Sequence, residues 1–228
     1  MTGGRPIRLS APGHSPRPLA SFPAVELGAG TQLWRCHRAD RGPWWFSSDG
    51  SGRFDLPIPD GTCYLADDPL VAFVEVVSHG SVDGLTVSPT FCAQRRVRRL
   101  ALPAKARMAD ASDGRARGFG VTREIHDIAD YSLPQAWARA WHAAAFDGVR
   151  YLATNHQPTS AGPTWEGHGA QGPGSWALFG RAGLRGRWRR GRAERIDATL
   201  LDRLKAEVGI MVVDPPTVAS ARIGQPPS

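Results

Sequence analysis

Lysine is almost missing from this chain of 228 residues, where Lys105 and Lys205 stand against 26 arginines. The arginine excess leaves a net charge of +7, and most of it is local. Arg185 to Arg195 holds six arginines and one glutamate, a net of +5. The remainder is unremarkable, so the basic total alone does not specify a nucleic-acid partner. Cysteine is scarce as well: Cys36, Cys63 and Cys92 are odd in number and have no C-x-x-C spacing, which argues against a disulfide framework or a zinc knuckle. A reduced, cytoplasmic compartment is the expectation. The seven histidines lack metal-ligand spacing, so no metal site is expected. No run approaches the roughly 18 apolar residues of a membrane span. The first 23 residues hold five prolines and no apolar stretch, so no secretory leader is expected either. Gly28-Ala29-Gly30 lacks both a preceding strand and a third glycine, which excludes a dinucleotide-binding turn of the Rossmann type.

What remains reads as one folded unit. Proline-rich ends predict a disordered arm over residues 1–24 and a disordered tail over 215–228, with the domain spanning 25–214. Gln32–Arg38 alternates as a strand, and residues 41–59 form a long loop rich in Gly, Pro, Ser and Asp. Thr62–Ala66 is a short strand. Asp67-Asp68-Pro69 then starts a helix that runs to about Ser78 and ends near Gly80. Further strands are predicted over Arg96–Leu102, near Gly120–His126, over Val149–Ala153, Trp176–Phe179 and Ile210–Val213. Helices are predicted over Leu133–Phe146 and Ala198–Val208, and a glycine-rich loop over Gly162–Gly174. Strands outnumber helices without regular alternation, which makes the class α+β.

One residue breaks its context. Glu75 is the only ionisable side chain between Asp68 and His79, on a helix that is otherwise apolar. A carboxylate withdrawn from water needs a partner or a task. Tyr64 lies 11 residues before it, and Arg53 lies 11 before Tyr64. The short connection from strand to helix lets Tyr64 and Glu75 approach one cleft. Read singly, Arg53 is a solvated loop arginine, Tyr64 a core tyrosine and Glu75 a residue on a narrow solvent-facing stripe or paired with a structural arginine.

The order of these fragments is similar to the core of the RES domain family: Gly52-Arg53-Phe54, then Tyr64-Leu65-Ala66-Asp67, then Val74-Glu75-Val76. Arg35 in Leu33-Trp34-Arg35 resembles the family's first characteristic arginine, with Arg38 as its competitor on the opposite side of the strand. Ser132-Leu133-Pro134-Gln135-Ala136-Trp137 resembles its later serine-containing segment. Where the family often carries Tyr-x-Ser-Arg, this chain reads Tyr151-Leu152-Ala153-Thr154-Asn155-His156, with Thr154 the nearest hydroxyl. The resemblance implies a bacterial toxin with an ADP-ribosyltransferase-like fold, a mixed β-sheet core with flanking helices. It also implies consumption of NAD+ without a metal and a cognate Xre-type antitoxin as partner. In that reading Glu75 is catalytic, Arg53 and Arg35 position NAD+, Tyr64 stacks on nicotinamide, and Ser132 either touches the ligand or forms a capping box with Gln135. Oligomeric state and the acceptor of ADP-ribose stay open. A second reading is a nucleic-acid-binding protein that uses Arg185–Arg195 with Trp188 among its arginines, although direct nucleic-acid binding ranks below a solvated basic edge or a surface for an acidic partner. A third is a RES fold without activity.

Overall fold

Side chains alternate between two faces along each strand, and that parity assembles the sheet that holds the site. A computed structural model describes residues 8–77, 86–152 and 174–214. In chain order the strands are β1 (Ala24–Leu27), β2 (Gln32–Arg38), β3 (Trp45–Phe46), β4 (Asp60–Ala66), β5 (Thr86–Val87) and β6 (Arg95–Ala101). They continue as β7 (Ala106–Asp110), β8 (Gly148–Leu152), β9 (Gly174–Arg181), β10 (Gly183–Leu184), β11 (Ala193–Glu194) and β12 (Met211–Val212). The helices are α1 (Pro69–Val77), α2 (Pro89–Ala93), α3 (Glu124–Asp127), α4 (Ser132–Ala143) and α5 (Ala198–Arg203). Eight strands form one sheet in the order β1-β7-β8-β9-β4-β2-β6-β11. The β7–β8 pair is parallel and the other pairs are antiparallel, so the sheet is mixed and the α+β expectation holds.

Parity divides the core. Val149, Tyr151, Ala177 and Phe179 face α4, packing with Trp137 and Trp141 in one cluster. Cys36, Ala66 and Val97 lie under α1 in a second cluster, which extends to Leu200 and Leu204 near α5. Both helices therefore cover the same face of the sheet and leave a seam between them. The opposite face carries Leu33, Cys63, Leu65, Trp176 and Leu178, covered by Trp44, Phe46 and the partly buried Trp188. Among the described residues no helix is long and apolar enough to cross a membrane.

Four sequence expectations change. Gly28-Ala29-Gly30 does follow a strand, β1, although the third glycine is still lacking. The arm expected to be loose is laid against the body from residue 8 onward: Trp137 Nε1 donates to Ser10 O at 2.7 Å, and Phe22 is buried against Trp141 and Phe119. Proline limits regular structure there to a single 3-10 turn over Leu19–Ser21 but does not prevent packing. The strand expected near Gly120–His126 is instead a turn followed by α3. Gly120 sits at φ 90°, a left-handed conformation that ends the preceding 3-10 turn. Residues 123–127 then run exposed, exposed, buried, buried, exposed, a helical rather than an alternating pattern. Finally, α4 ends at Ala143, with Ala145 at φ 61° turning the chain toward β8. The expected end of α1 at Ser78–Gly80, Ala153, most of the loop 162–174, and residues 1–7 and 215–228 lie outside the described residues.

Candidate active site

The described part of the helix that carries Glu75 spans nine residues, Pro69–Val77, and a segment of that length does not persist without tertiary support. Its start is fixed by Asp68, whose Oδ1 accepts the amides of Leu70 at 2.7 Å and Val71 at 3.4 Å. Arg203 of α5 pairs with the same carboxylate at 3.3 Å. Leu70, Val71, Phe73, Val74 and Val77 are buried, which leaves Glu75 and Val76 only partly exposed. Rotation of the helix is thus set by its apolar side chains, and Glu75 is turned into the seam.

There the carboxylate is held by two hydroxyls. Tyr151 Oη donates to Glu75 Oε2 at 3.2 Å, and Ser175 Oγ donates to Oε1 at 3.5 Å. Tyr151 and Ser175 face each other across β8 and β9 in register, so the sheet presents both on the helix-bearing face. Burial pushes the Glu75 carboxyl above its usual range, partly offset by the Tyr151 hydrogen bond, the nearby Arg53 guanidinium and Ser175. Neither Tyr151 nor Ser175 stood out in the sequence as a site residue. Tyr151 did stand at the family's tyrosine, and Ser175 is a fully buried hydroxyl in an otherwise apolar run.

Arg53 reaches the same seam from the loop before β4. Its Nη1 donates to Ile128 O at 2.7 Å and Ile125 O at 3.5 Å, and its guanidinium lies 4.8 Å from the centre of the Tyr131 ring. Beside it, buried His126 is held down at a pKa of about 4 by burial and by the Arg53 and Arg123 charges.

Tyr64 holds the turn that carries Arg53 through its hydroxyl. Its hydroxyl donates to Asp55 Oδ1 at 2.8 Å and accepts the Phe54 amide at 2.9 Å. Thr62 Oγ1 donates to Phe54 O at 2.8 Å and accepts the Leu56 amide at 3.2 Å. Asp55 Oδ2 accepts the Gly52 amide at 3.0 Å, and Gln135 Nε2 donates to the Gly50 and Gly52 carbonyls. The turn that presents Arg53 is thereby stitched to β4 on one side and to α4 on the other. Glycine is required at position 52, because a methyl there would run into the Tyr64 hydroxyl. Tyr64→Phe keeps the ring but strips a bond from the buried Asp55 carboxylate and from the Phe54 amide. The expected loss is about 1–3 kcal/mol in urea unfolding. A variant as stable as wild type would show that the hydroxyl is not a clamp.

Two further candidates lie elsewhere. Arg35 shares strand parity with Leu33 and points to the opposite face of the sheet. There its Nη1 donates to Trp45 O at 2.8 Å and to Cys63 Sγ. It does not stand beside Glu75. Ser132 is exposed at the first turn of α4, where its amide and hydroxyl both bond Asp130, each at 2.9 Å. The capping box does not form, because Tyr131 occupies the cap position and Gln135 is engaged with the Arg53 loop. Thr154 lies outside the described residues.

The aromatic of the basic segment is likewise committed. Trp188 packs edge-on against Trp44 at 5.0 Å and Phe46 at 5.8 Å, and Trp44 Nε1 donates to Arg189 O at 2.8 Å. Its ring is not presented for stacking on a base.

Comparison with known proteins agrees with this architecture. The RES domain family profile matches residues 32–192. A chain of the M. tuberculosis MbcT-MbcA toxin-antitoxin complex superposes with a TM-score of 0.56 at 17% identity, over 79% of this chain and 92% of that one. At that identity the likeness is one of fold. No curated protein matches.

Proposed function

The chain belongs to the RES domain family, and on that premise we propose that it is a toxin that consumes NAD+ by breaking the bond between nicotinamide and ribose. One observation carries the reading: a partly buried carboxylate, Glu75, is oriented by the Tyr151 and Ser175 hydroxyls in a seam that also receives the Arg53 guanidinium. Bond cleavage sends the electron pair to the nicotinamide ring, which loses its positive charge, and leaves an oxocarbenium-like ribose. Ionised Glu75 opposes that positive charge, and with both oxygens held it need not reorganise as the charge develops. Arg53 suits the pyrophosphate through its planar fork. Tyr64 acts through the Arg53 turn that its hydroxyl helps to hold, and its ring is the proposed stacking surface for the nicotinamide. Arg35 and Ser132, proposed from the sequence as contacts to NAD+, do not join this cluster.

Water, phosphate or a protein side chain completes the reaction as acceptor, giving ADP-ribose, its phosphate or a modified protein. An activity that drains NAD+ calls for neutralisation in the producing cell, and a cognate Xre-type antitoxin is the proposed partner. The MbcT-MbcA pair supports an antitoxin in general.

The test is incubation of the purified protein with NAD+, with and without phosphate, and measurement of free nicotinamide. Steady release is expected, and the second product identifies the acceptor. Absence of release in both buffers, together with salt-sensitive DNA binding lost in Arg189→Ala/Arg190→Ala, would replace this reading with the nucleic-acid one. Absence of both activities would leave a RES fold without catalysis.

A further inference from the structure

The basic end of the sheet contributes nothing to the seam, yet it is built with care. β6 places Arg95, Arg96, Arg98 and Arg99 within five consecutive positions. β11 pairs along its outer side, with Ala193 opposite Arg98 and Glu194 opposite Val97, and is followed by Arg195. Arg98 fastens this ribbon by donating to the carbonyls of Gly191 at 2.8 Å and Arg190 at 3.3 Å. Among the described residues no ion pair engages the four β6 arginines or Arg195. Strand alternation sends Arg95 and Arg99 to the face that Val97 shares with α1, and Arg96 and Arg98 to the other, so two like charges sit near one another on each side.

Against this strip lies an open groove of about 490 Å³ between α2, β6 and α5. Pro89, Cys92, Ala93, Ile196, Leu201 and Val212 supply apolar walls, and Arg96 and Arg195 flank them. β11 is the last strand of the sheet and only two residues long, and among the described residues no strand pairs with its outer edge.

We propose that this groove is a docking site for a segment of a partner protein that carries aliphatic and acidic side chains together. The apolar walls call for a complementary apolar surface; Arg195 and Arg96, whose Nη1 is held by the Ala93 carbonyl at 2.8 Å and the Arg95 carbonyl at 2.6 Å, present positive charge that carboxylates complement. A nucleic acid would use the charge but leave the walls unfilled, and Trp188 is turned edge-on into the core. The site is remote from the seam. β6 is separated from β9 by β4 and β2, three strand spacings or about 14 Å. The inference therefore goes beyond the NAD+ reading and does not depend on it.

The probe is a fluorescein-labelled peptide of mixed leucine and glutamate, measured by anisotropy against the full chain. A peptide with serine replacing leucine and a single-stranded DNA of similar length are the comparisons. The leucine peptide is expected to bind about tenfold or more tightly than either. Ala93→Glu, an exposed position that puts a carboxylate into the groove, and Arg195→Glu are each expected to weaken it by about tenfold or more. Both should leave circular dichroism and nicotinamide release unchanged. The assignment is overturned if the serine peptide or the DNA binds as tightly as the leucine peptide. It is equally overturned if both variants, folded as wild type, bind it undiminished.

Discussion

Glu75→Gln is expected to lower nicotinamide release by about 10³-fold while leaving the protein as stable as wild type, or more so, at neutral pH. The amide can still accept from Tyr151, so the local geometry persists, but it cannot oppose a cationic ribose. The stability half follows from linkage. Burial holds the Glu75 pKa above its usual range, so the fold favours the protonated form. That preference stabilises the protein below the ordinary carboxylate range and is lost as pH rises through the higher folded value. At neutral pH the ionised group weighs against the fold, and glutamine removes the burden. The stability difference should vanish in acid, and the wild-type rate should fall as pH drops through the raised pKa. Urea unfolding and nicotinamide assays across pH read both halves. Full activity in the variant would remove Glu75 from the chemistry, and a large stability loss would make it a structural carboxylate.

Arg53→Lys is expected to be nearly as damaging as Arg53→Ala, each costing about 10²-fold in kcat/KM. The guanidinium has one nitrogen on the Ile128 and Ile125 carbonyls and its plane over Tyr131. A lysine supplies the charge but no fork, so it cannot hold those carbonyls and a pyrophosphate together. The two variants separate on pH. Arg53 holds the Glu75 pKa down through its charge, so Arg53→Ala should move the acidic limb of the rate profile upward and Arg53→Lys should move it less. Near wild-type turnover in Arg53→Lys would reduce the residue to a point charge.

Part of this site was legible in the sequence, for reasons that can be stated residue by residue. Glu75 stood out because a lone charge in an apolar helix is rare, and Asp68-Pro69 marked where that helix begins. The sheet elements that position it followed from alternation, and β2 kept the expected bounds Gln32–Arg38. What escaped depended on facing. Alternation puts Arg35 and Trp34 on opposite sides of a strand, but nothing local says which side the Glu75 helix will cover. Ser175 has no signature, because one hydroxyl in an apolar strand becomes informative only when the neighbouring strand brings Tyr151 opposite. Tyr64 was found, but its hydroxyl is taken by Asp55, the residue that follows Gly52-Arg53-Phe54 and whose part was not read. Ser132 sat between competing capping groups, and Asp130 took both of its polar atoms.

The packing of Phe22 bears on where this protein can be cut. The family match begins at residue 32, yet Phe22 touches Phe119, Trp137, Trp141 and Phe146, and Ser10 accepts from Trp137. β1, just after it, completes the sheet beside β7. A gene fragment trimmed to the matched residues would uncover four aromatic rings and the edge of β7, a surface prone to self-association. Expression boundaries for this chain are better drawn from what lies against α4 than from where the family resemblance begins.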